Sequence, residues 1–327
     1  PQSDRNGFPS DSNPIAHWIA HKKMLEHIPG GAFFSTEYRH SWGDNELYDI
    51  ASELNRWGFA EKSRIGHDHP INGKGDWDND LAGVYSSEAV EADYKTYMRR
   101  KRDRNVAKHG VRLAVGVPLT DLMVYSQFMF SFLRLEKLTM CELLMPNYPG
   151  QIDAVRNDLV RQALNLGCTH ILFLDTDQIY LDEDMIQRML DHQRPIVGAM
   201  VHRRYPPFDP LLLRGETGKL YSVPDEEIKP NGEFANLVPV DRTGSGCIMI
   251  DTSVFLELEY PWFELRQNPD GTPVGEDFAF CEKATAAGFE IFVDCSIRVQ
   301  HLALMAVDWS AYQLYRKVKG GRKRNGE

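Results

Sequence analysis

A chain of 327 residues that is 42% hydrophobic, 26% charged and 11% aromatic has a globular composition, enough for about two domains at ~150 residues each, and wholesale disorder is excluded. A net charge of −10 excludes a protein that coats nucleic acid through a broad basic surface, but leaves room for local basic patches. The longest apolar runs, such as Cys141–Pro146 and Ile171–Leu174, fall far short of the ~20 residues of a membrane span, so no integral membrane segment is expected.

Pro1 stands first, with neither an initiator Met nor a basic-then-apolar leader, and the expectation is a processed product or a fragment. The five cysteines are odd in number and show no Cys-x-x-Cys spacing, which argues against a disulfide framework or a structural zinc site. Four of them lie in or beside apolar segments, where Cys behaves as a small core residue, and a reducing cytoplasm is the expected compartment.

The first 98 residues hold six of the eleven histidines and four of the six tryptophans. Trp42-Gly43-Asp44-Asn45-Glu46-Leu47 opens a helix-like run that reaches Trp57-Gly58-Phe59, and His67-Asp68-His69-Pro70 follows. His67 and His69 are metal-ligand candidates, although alternating His in a loop more often serve as polar loop residues. Asp76, Asp78 and Asp80 suggest a calcium loop, but position twelve is Ser87 and position six is not Gly, so that pattern fails. Gly73-Lys74-Gly75 lacks the rest of a phosphate loop. With little continuous apolar periodicity, residues 1–105 are expected to form a small α+β or irregular region that packs on the rest of the chain. Trp42 and Trp57 are its expected buried contacts, and no catalytic group is expected from it.

The charged run Arg99–Arg104 has no apolar face, and the boundary is placed after Asn105. Residues 106–315 form the second unit, and the basic stretch 316–327 reads as a flexible tail. In the second unit Leu113–Val117 is a strand stopped by Pro118, Val124–Leu135 has helical spacing, and Thr139–Met145 is a second strand. Ile152–Leu166 places Ile152, Val155, Leu159, Ala163 and Leu166 on one helix face, and Gly167 ends it. His170–Leu174 is a buried strand, Glu183–His192 a helix and Ile196–Met200 another strand. Phe278–Ala287 is helical up to Gly288, and Glu290–Val293 is a last strand. Strands alternating with helices predict an α/β fold with a mostly parallel sheet flanked by helices, and such sheets bind ligands beyond the carboxyl ends of their strands.

Several Asp-x-Asp pairs occur, but only Asp175 and Asp177 leave a buried apolar strand, Ile171-Leu172-Phe173-Leu174. Two hard oxygen ligands fixed at a sheet edge suit Mg²⁺ or Mn²⁺ carrying a diphosphate. The alternative is a strand-ending turn stabilised by Asp side chains. Glu276 and Asp277 begin the 278–287 helix, where acids also act as ordinary caps, and His301 follows the last strand, placed to complete a metal set. His202-Arg203-Arg204 follows the strand at 196–200 and offers positive charge to phosphates, or is a solvated basic turn. Arg156 either approaches a nucleotide or pairs with an acid on its own helix.

In the order Pro118, Arg156-Asn157, Asp175-Thr176-Asp177, Gly244–Ile250, Gly275-Glu276-Asp277 and His301, residues 112–302 resemble GT-A glycosyltransferases, most of all the family-2-like enzymes of phage and bacterial genomes. The resemblance implies a Rossmann-like GT-A domain that uses Mn²⁺ or Mg²⁺ to move a sugar from a nucleotide-sugar donor to a hydroxyl acceptor; the Glu276-Asp277 motif favours an inverting single displacement, and the same fold also supports retention. It implies that Asp175 contacts the donor ribose; Pro118, Arg156 and Arg203 complete the expected donor-binding set. Asp177 and His301, with Asp175 beside them, would hold the metal. Glu276 and Asp277 would face the acceptor, with Asp277 as base. The acceptor class stays open among glycans, small molecules and modified DNA bases. Residues 42–69 loosely repeat the order of acids, helix, Gly-Phe and His, and resemble the tail of a second such unit without its front half.

Two other readings compete. A nucleotidyltransferase also holds a metal–triphosphate over a sheet, but the loop Pro118-Leu119-Thr120-Asp121-Leu122 has neither glycine nor a basic residue to cradle phosphates. A non-catalytic glycan-binding or assembly protein would keep the fold without turnover.

Overall fold

The computed structural model describes residues 20, 22–57, 83, 85–121, 123–216, 219–304 and 307–322. His67, His69, the acids at 76, 78 and 80, and Gly73-Lys74-Gly75 lie outside them. Helix α1 spans Gly43–Glu53 and α2 spans Ser87–His109. The Ser86 hydroxyl accepts from the Ala89 N–H at the start of α2, and Gly110, at φ 70°, ends it.

The charged run Arg99–Arg104 lies inside α2, so the boundary expected after Asn105 falls within a continuous helix. A helix with no broad apolar stripe is stable here because its charges are matched. Arg100 and Arg104 both bind the buried carboxylate of Glu46, Lys101 pairs with Asp49 at 2.8 Å, and Arg102 reaches both oxygens of Asp251 at 2.8 and 2.9 Å. Tyr97 and Met98 enter the main core, and the Asn105 amide donates to Gly167 O at 2.6 Å. Trp42, half-buried, stacks on Tyr97 at 5.5 Å. Trp57 departs from the expected burial: it is 49% exposed, just past the end of α1, with its ring edge-on to Tyr48.

The sheet begins with β1 (Leu113–Gly116), followed by α3 (Ser126–Arg134), β2 (Cys141–Leu144) and α4 (Ile152–Asn165). Next come β3 (His170–Leu174), β4 (Gln178–Tyr180), α5 (Met185–Asp191) and β5 (Ile196–Met200). After an excursion of irregular chain and short ladders come β6 (Val238–Val240), β7 (Cys247–Asp251), α6 (Ser253–Glu257), α7 (Glu276–Ala286), β8 (Ile291–His301) and α8 (Trp309–Arg322). Arg316, where the flexible tail is expected to begin, lies inside α8.

Alternation along the strands divides the core between the two faces of the sheet. Ala114, Ile171, Phe173, Ile248 and Ile250 face α2, α4, α6 and α7, while Leu113, Val115, Leu172, Leu174 and Met249 face α3 and α5. This is an α/β fold, but its sheet is mixed and not mostly parallel. The strand order is β2-β1-β3-β7-β5-β8-β4, with β6 also paired to β8. The pairs β1/β2, β1/β3 and β5/β8 are parallel. The pairs β3/β7, β5/β7, β6/β8 and β4/β8 are antiparallel. The strand–helix alternation stops at Met200, and the chain then travels through residues 201–246, where the α-helix among the described residues is a single turn, Asp225–Ile228. The chain therefore enters β7 from the opposite end, and parallel pairing is lost at the centre of the sheet. Strand β8 is also longer than the expected Glu290–Val293. It passes through a register shift between Asp294 and Arg298, where the buried Asp294 carboxylate accepts from Ser296 N–H at 2.8 Å and meets His192 at 2.9 Å, and continues to His301.

Candidate functional site

The carboxyl end of β3 is fixed by backbone bonds on both sides. Asp175 N–H donates to Gly246 O at 2.8 Å, and the chain then turns so that Gln178 N–H donates to Asp175 O at 3.2 Å. The Tyr180 hydroxyl donates to the carbonyls of Asp175 and Gly246 at 3.0 and 3.1 Å, clamping that turn from below. Gly246 is needed here because a Cβ would overlap the Gln178 amide and lie 3.0 Å from Asp175 Oδ2.

The extra length of β8 brings His301 to this turn. β4 pairs antiparallel with the end of β8, His301 is registered with Gln178, and Leu302 N–H donates to Asp177 O at 2.8 Å. His301 Nε2 then lies 3.2 Å from Asp177 Oδ2, and Nδ1 lies 2.7 Å from His202 O. A carbonyl only accepts, so Nδ1 carries a proton. Nε2 facing a carboxylate must then carry a second proton or share a cation with it. Burial lowers the basicity of His301, but the hydrogen bond to Asp177 and the His202 carbonyl outweigh it and raise its pKa. Burial likewise opposes ionisation of Asp177, and His301 with Arg204 holds the carboxyl below its ordinary range.

Among the described residues no three His, Cys, Asp or Glu side chains gather as a metal cage, and Asp177 with His301 is a two-residue set that could share an ion. Such a set fits Mg²⁺ or Mn²⁺, which take one or two protein ligands and fill the remaining positions with phosphate oxygens and water. Asp175, the third expected ligand, is engaged elsewhere. Both its oxygens accept from Arg156 Nη2, at 2.9 and 3.1 Å. Arg156 is 2% exposed, packed against the rings of Phe173 and Phe263, and it also donates to Glu276 Oε1 at 3.1 Å and Ser245 O at 3.2 Å. It therefore lies beneath the site as a positioning residue that joins Asp175 on β3 to Glu276 on α7. Burial raises the Asp175 pKa, Arg156 opposes this, and the charges of Asp177 and Glu276 add to it.

Arg156→Met tests that role. It leaves two carboxylates facing each other without their cation, a loss of about 3–5 kcal/mol. That corresponds to a fall in Tm of roughly 6–20 °C by circular dichroism, taking about 2–4 °C per kcal/mol. A fall of less than about 2 °C would show that the bridge contributes nothing to the fold.

Asp277 stands in the first turn of α7 after Gly275, which is glycine because a Cβ would come within 2.6 Å of Asp277 Oδ1. That oxygen accepts from Phe278 N–H at 2.8 Å, and no cation is paired with the carboxylate among the described residues. Burial, reinforced by the charge of Glu276, pushes its pKa up to about 7. Pro118, buried two residues beyond Gly116, follows the strand whose Gly116 is registered with Phe173, so it sits level with the Asp175 turn. Arg203 is exposed and bonds Asp209 O through its backbone; the side chain that reaches Asp177 Oδ2, at 2.9 Å, is that of Arg204.

The residue triplet at 202–204 marks this basic turn in the sequence, but nothing in it distinguishes Arg204 from Arg203. Gln178, Thr243 and Ser245 have no sequence signal. They are buried around the glycine turn, and the side-chain oxygens Gln178 Oε1, Thr243 Oγ1 and Ser245 Oγ have no hydrogen-bond partner. A cleft of about 380 Å³ lined by Arg214, Asp241, Phe289 and Ile291 lies at the opposite end of β8 and contains none of these groups.

No protein-family model and no functionally curated protein matches the chain. Among solved structures, the crystal structure of A197 from STIV is similar at 14% sequence identity and a TM-score of 0.40, over 61% of this chain and 87% of that one.

Proposed function

We propose that the chain is a metal-dependent glycosyltransferase with the GT-A form of the α/β fold, moving a sugar from a nucleotide-sugar to a hydroxyl acceptor. The observation that carries this reading is the meeting of Asp177 with His301 at the end of β3, beside an Asp175 held rigidly by Arg156. A Mg²⁺ or Mn²⁺ ion held by Asp177 and His301 would supply positive charge to a departing diphosphate. Asp175, fixed in orientation by its bidentate contact, offers its outer edge to the donor ribose. Arg204 lies close enough to turn from Asp177 to a phosphate oxygen. Asp277 takes the proton of the acceptor hydroxyl; a carboxyl that titrates near neutrality is a stronger base than an ordinary one and is still ionised at slightly alkaline pH. Inversion by single displacement follows from that role.

A panel of nucleotide-sugars incubated with Mn²⁺, with products followed by NMR, tests the reading. Metal-dependent release of nucleoside diphosphate from at least one donor is expected, with inverted anomeric configuration. Turnover of nucleoside triphosphates with no release from any sugar donor would favour a nucleotidyltransferase instead. A retained configuration would remove Asp277 from the base role.

A further inference from the structure

We propose that α8 and the chain leading into it form a docking element for the surface of an anionic lipid bilayer. The inference stands on residues outside the strand-end site and does not depend on the activity assigned there. The Asp308 carboxylate accepts from Ala311 N–H at 2.9 Å and so caps the helix that runs from Trp309 to Arg322. No helix among the described residues is long and apolar enough to cross a membrane, so an element of this kind lies on a bilayer and does not span it.

Two observations point to lipid. The first is a run of exposed apolar side chains at this end of the chain. Leu304 is 95% and Trp309 70% exposed, and Val307, Tyr312, Leu314 and Tyr315 are exposed with them. Trp309 and Tyr312 pack on each other at 5.1 Å, with the Arg316 guanidinium 5.7 Å from the Tyr312 ring, rather than on the core. Trp and Tyr side chains settle at the boundary between headgroups and acyl chains, where ring and polar edge are both satisfied.

The second observation is charge segregation. From Arg316 onward the sequence holds six of the 37 Lys and Arg and one of the 47 Asp and Glu, leaving residues 1–315 with 31 against 46, a net of −15. A basic, aromatic element on an acidic body is attracted to an anionic surface that repels the rest of the molecule, which fixes the docked orientation. Nucleic acid would satisfy the charges, but it has no use for exposed Leu304, Val307 and Leu314. Trp309 lies eight residues after His301, so the linker holds the strand-end site within about 29 Å of the docked helix.

Sedimentation of the full chain with phosphatidylcholine vesicles, with and without 30% phosphatidylglycerol, tests this at 0.1 M salt. Binding is expected only with the anionic lipid. It should fall at least tenfold at 0.5 M salt, in Arg316→Gln/Lys317→Gln, and in Trp309→Ser/Tyr315→Ser, because these exposed residues carry the affinity and not the fold. Unchanged melting temperatures of the variants confirm the last point. Failure to sediment with anionic vesicles at millimolar lipid overturns the proposal, as does equal binding by both double variants. Binding to duplex or single-stranded DNA in place of vesicles assigns the element to nucleic acid. Self-association that Trp309→Ser/Tyr315→Ser abolishes, without vesicle binding, assigns it to a second copy of the chain.

Discussion

Asp177→Ala is expected to lower kcat for nucleotide-sugar cleavage by about a thousandfold and to abolish saturable Mn²⁺ binding measured by calorimetry. The magnitude follows from the chemistry. Positive charge on a diphosphate leaving group contributes several kcal/mol to the transition state, and about 4 kcal/mol is a factor of a thousand. Among the described residues Asp177 supplies the carboxylate that faces His301, while Asp175 is already committed to Arg156. The substitution also releases Arg204 from its contact, so the remaining site gains an unpaired cation and loses a carboxylate. His301→Ala is expected to have the same direction and a smaller effect, since one carboxylate with phosphate oxygens still makes a magnesium site. Near-normal turnover by Asp177→Ala at saturating metal would end the assignment. The folded state should survive, because the Asp177 side chain is partly exposed and the backbone bond from Leu302 N–H is retained.

Asp277→Asn is expected to lower kcat by 10²–10⁴-fold and to remove the main pH dependence. In the parent chain burial holds the Asp277 carboxyl protonated up to about pH 7. A base must be ionised to act, so activity should rise with pH through about 7 and fall roughly tenfold for each unit below it. Asn keeps the size of the side chain and can still accept from Phe278 N–H, so loss of rate reports loss of the base and not loss of the helix start. A pH–rate profile of unchanged shape in Asp277→Asn would assign the titration to another group.

Much of the local structure around this candidate site is legible in the sequence, and the parts that are not share a cause. β3 and its two acids, α4, β5 and the start of α7 are local features: apolar runs with strand or helix periodicity closed by Pro, Gly or Asp. What escaped is what distant residues impose on one another. Asp294 reads as a strand terminator, yet it is buried in mid-strand because His192 and Ser296 satisfy it, and that lengthening brings His301 to Asp177. The antiparallel direction of β7 is set by the route of residues 201–246, which has no periodic signature. Arg156 looks like any helix-face arginine until Asp175 and Glu276 close over it from either side. The run Arg99–Arg104 looks like a domain boundary because its acidic partners, Glu46, Asp49 and Asp251, are far away in sequence.

The placement of β7 has a consequence for how the chain reaches its native state. β3 and β5 are separated in the sheet by a strand that is made about fifty residues after β5, so neither can close its inner edge until residue 251 has emerged. During synthesis the unpaired N–H and C=O groups along the β3 edge wait uncovered, and only the local β2-β1-β3 ladder can precede it. β8 then has to find β5, β6 and β4 together, and only that last step joins Asp177 to a histidine 124 residues away. Such long-range pairing makes folding slow and leaves partly assembled sheets open to edge-to-edge association. The carboxylate and histidine of the site therefore report completion of the whole sheet: a nascent or truncated chain ending before residue 301 contains both acids and has no site.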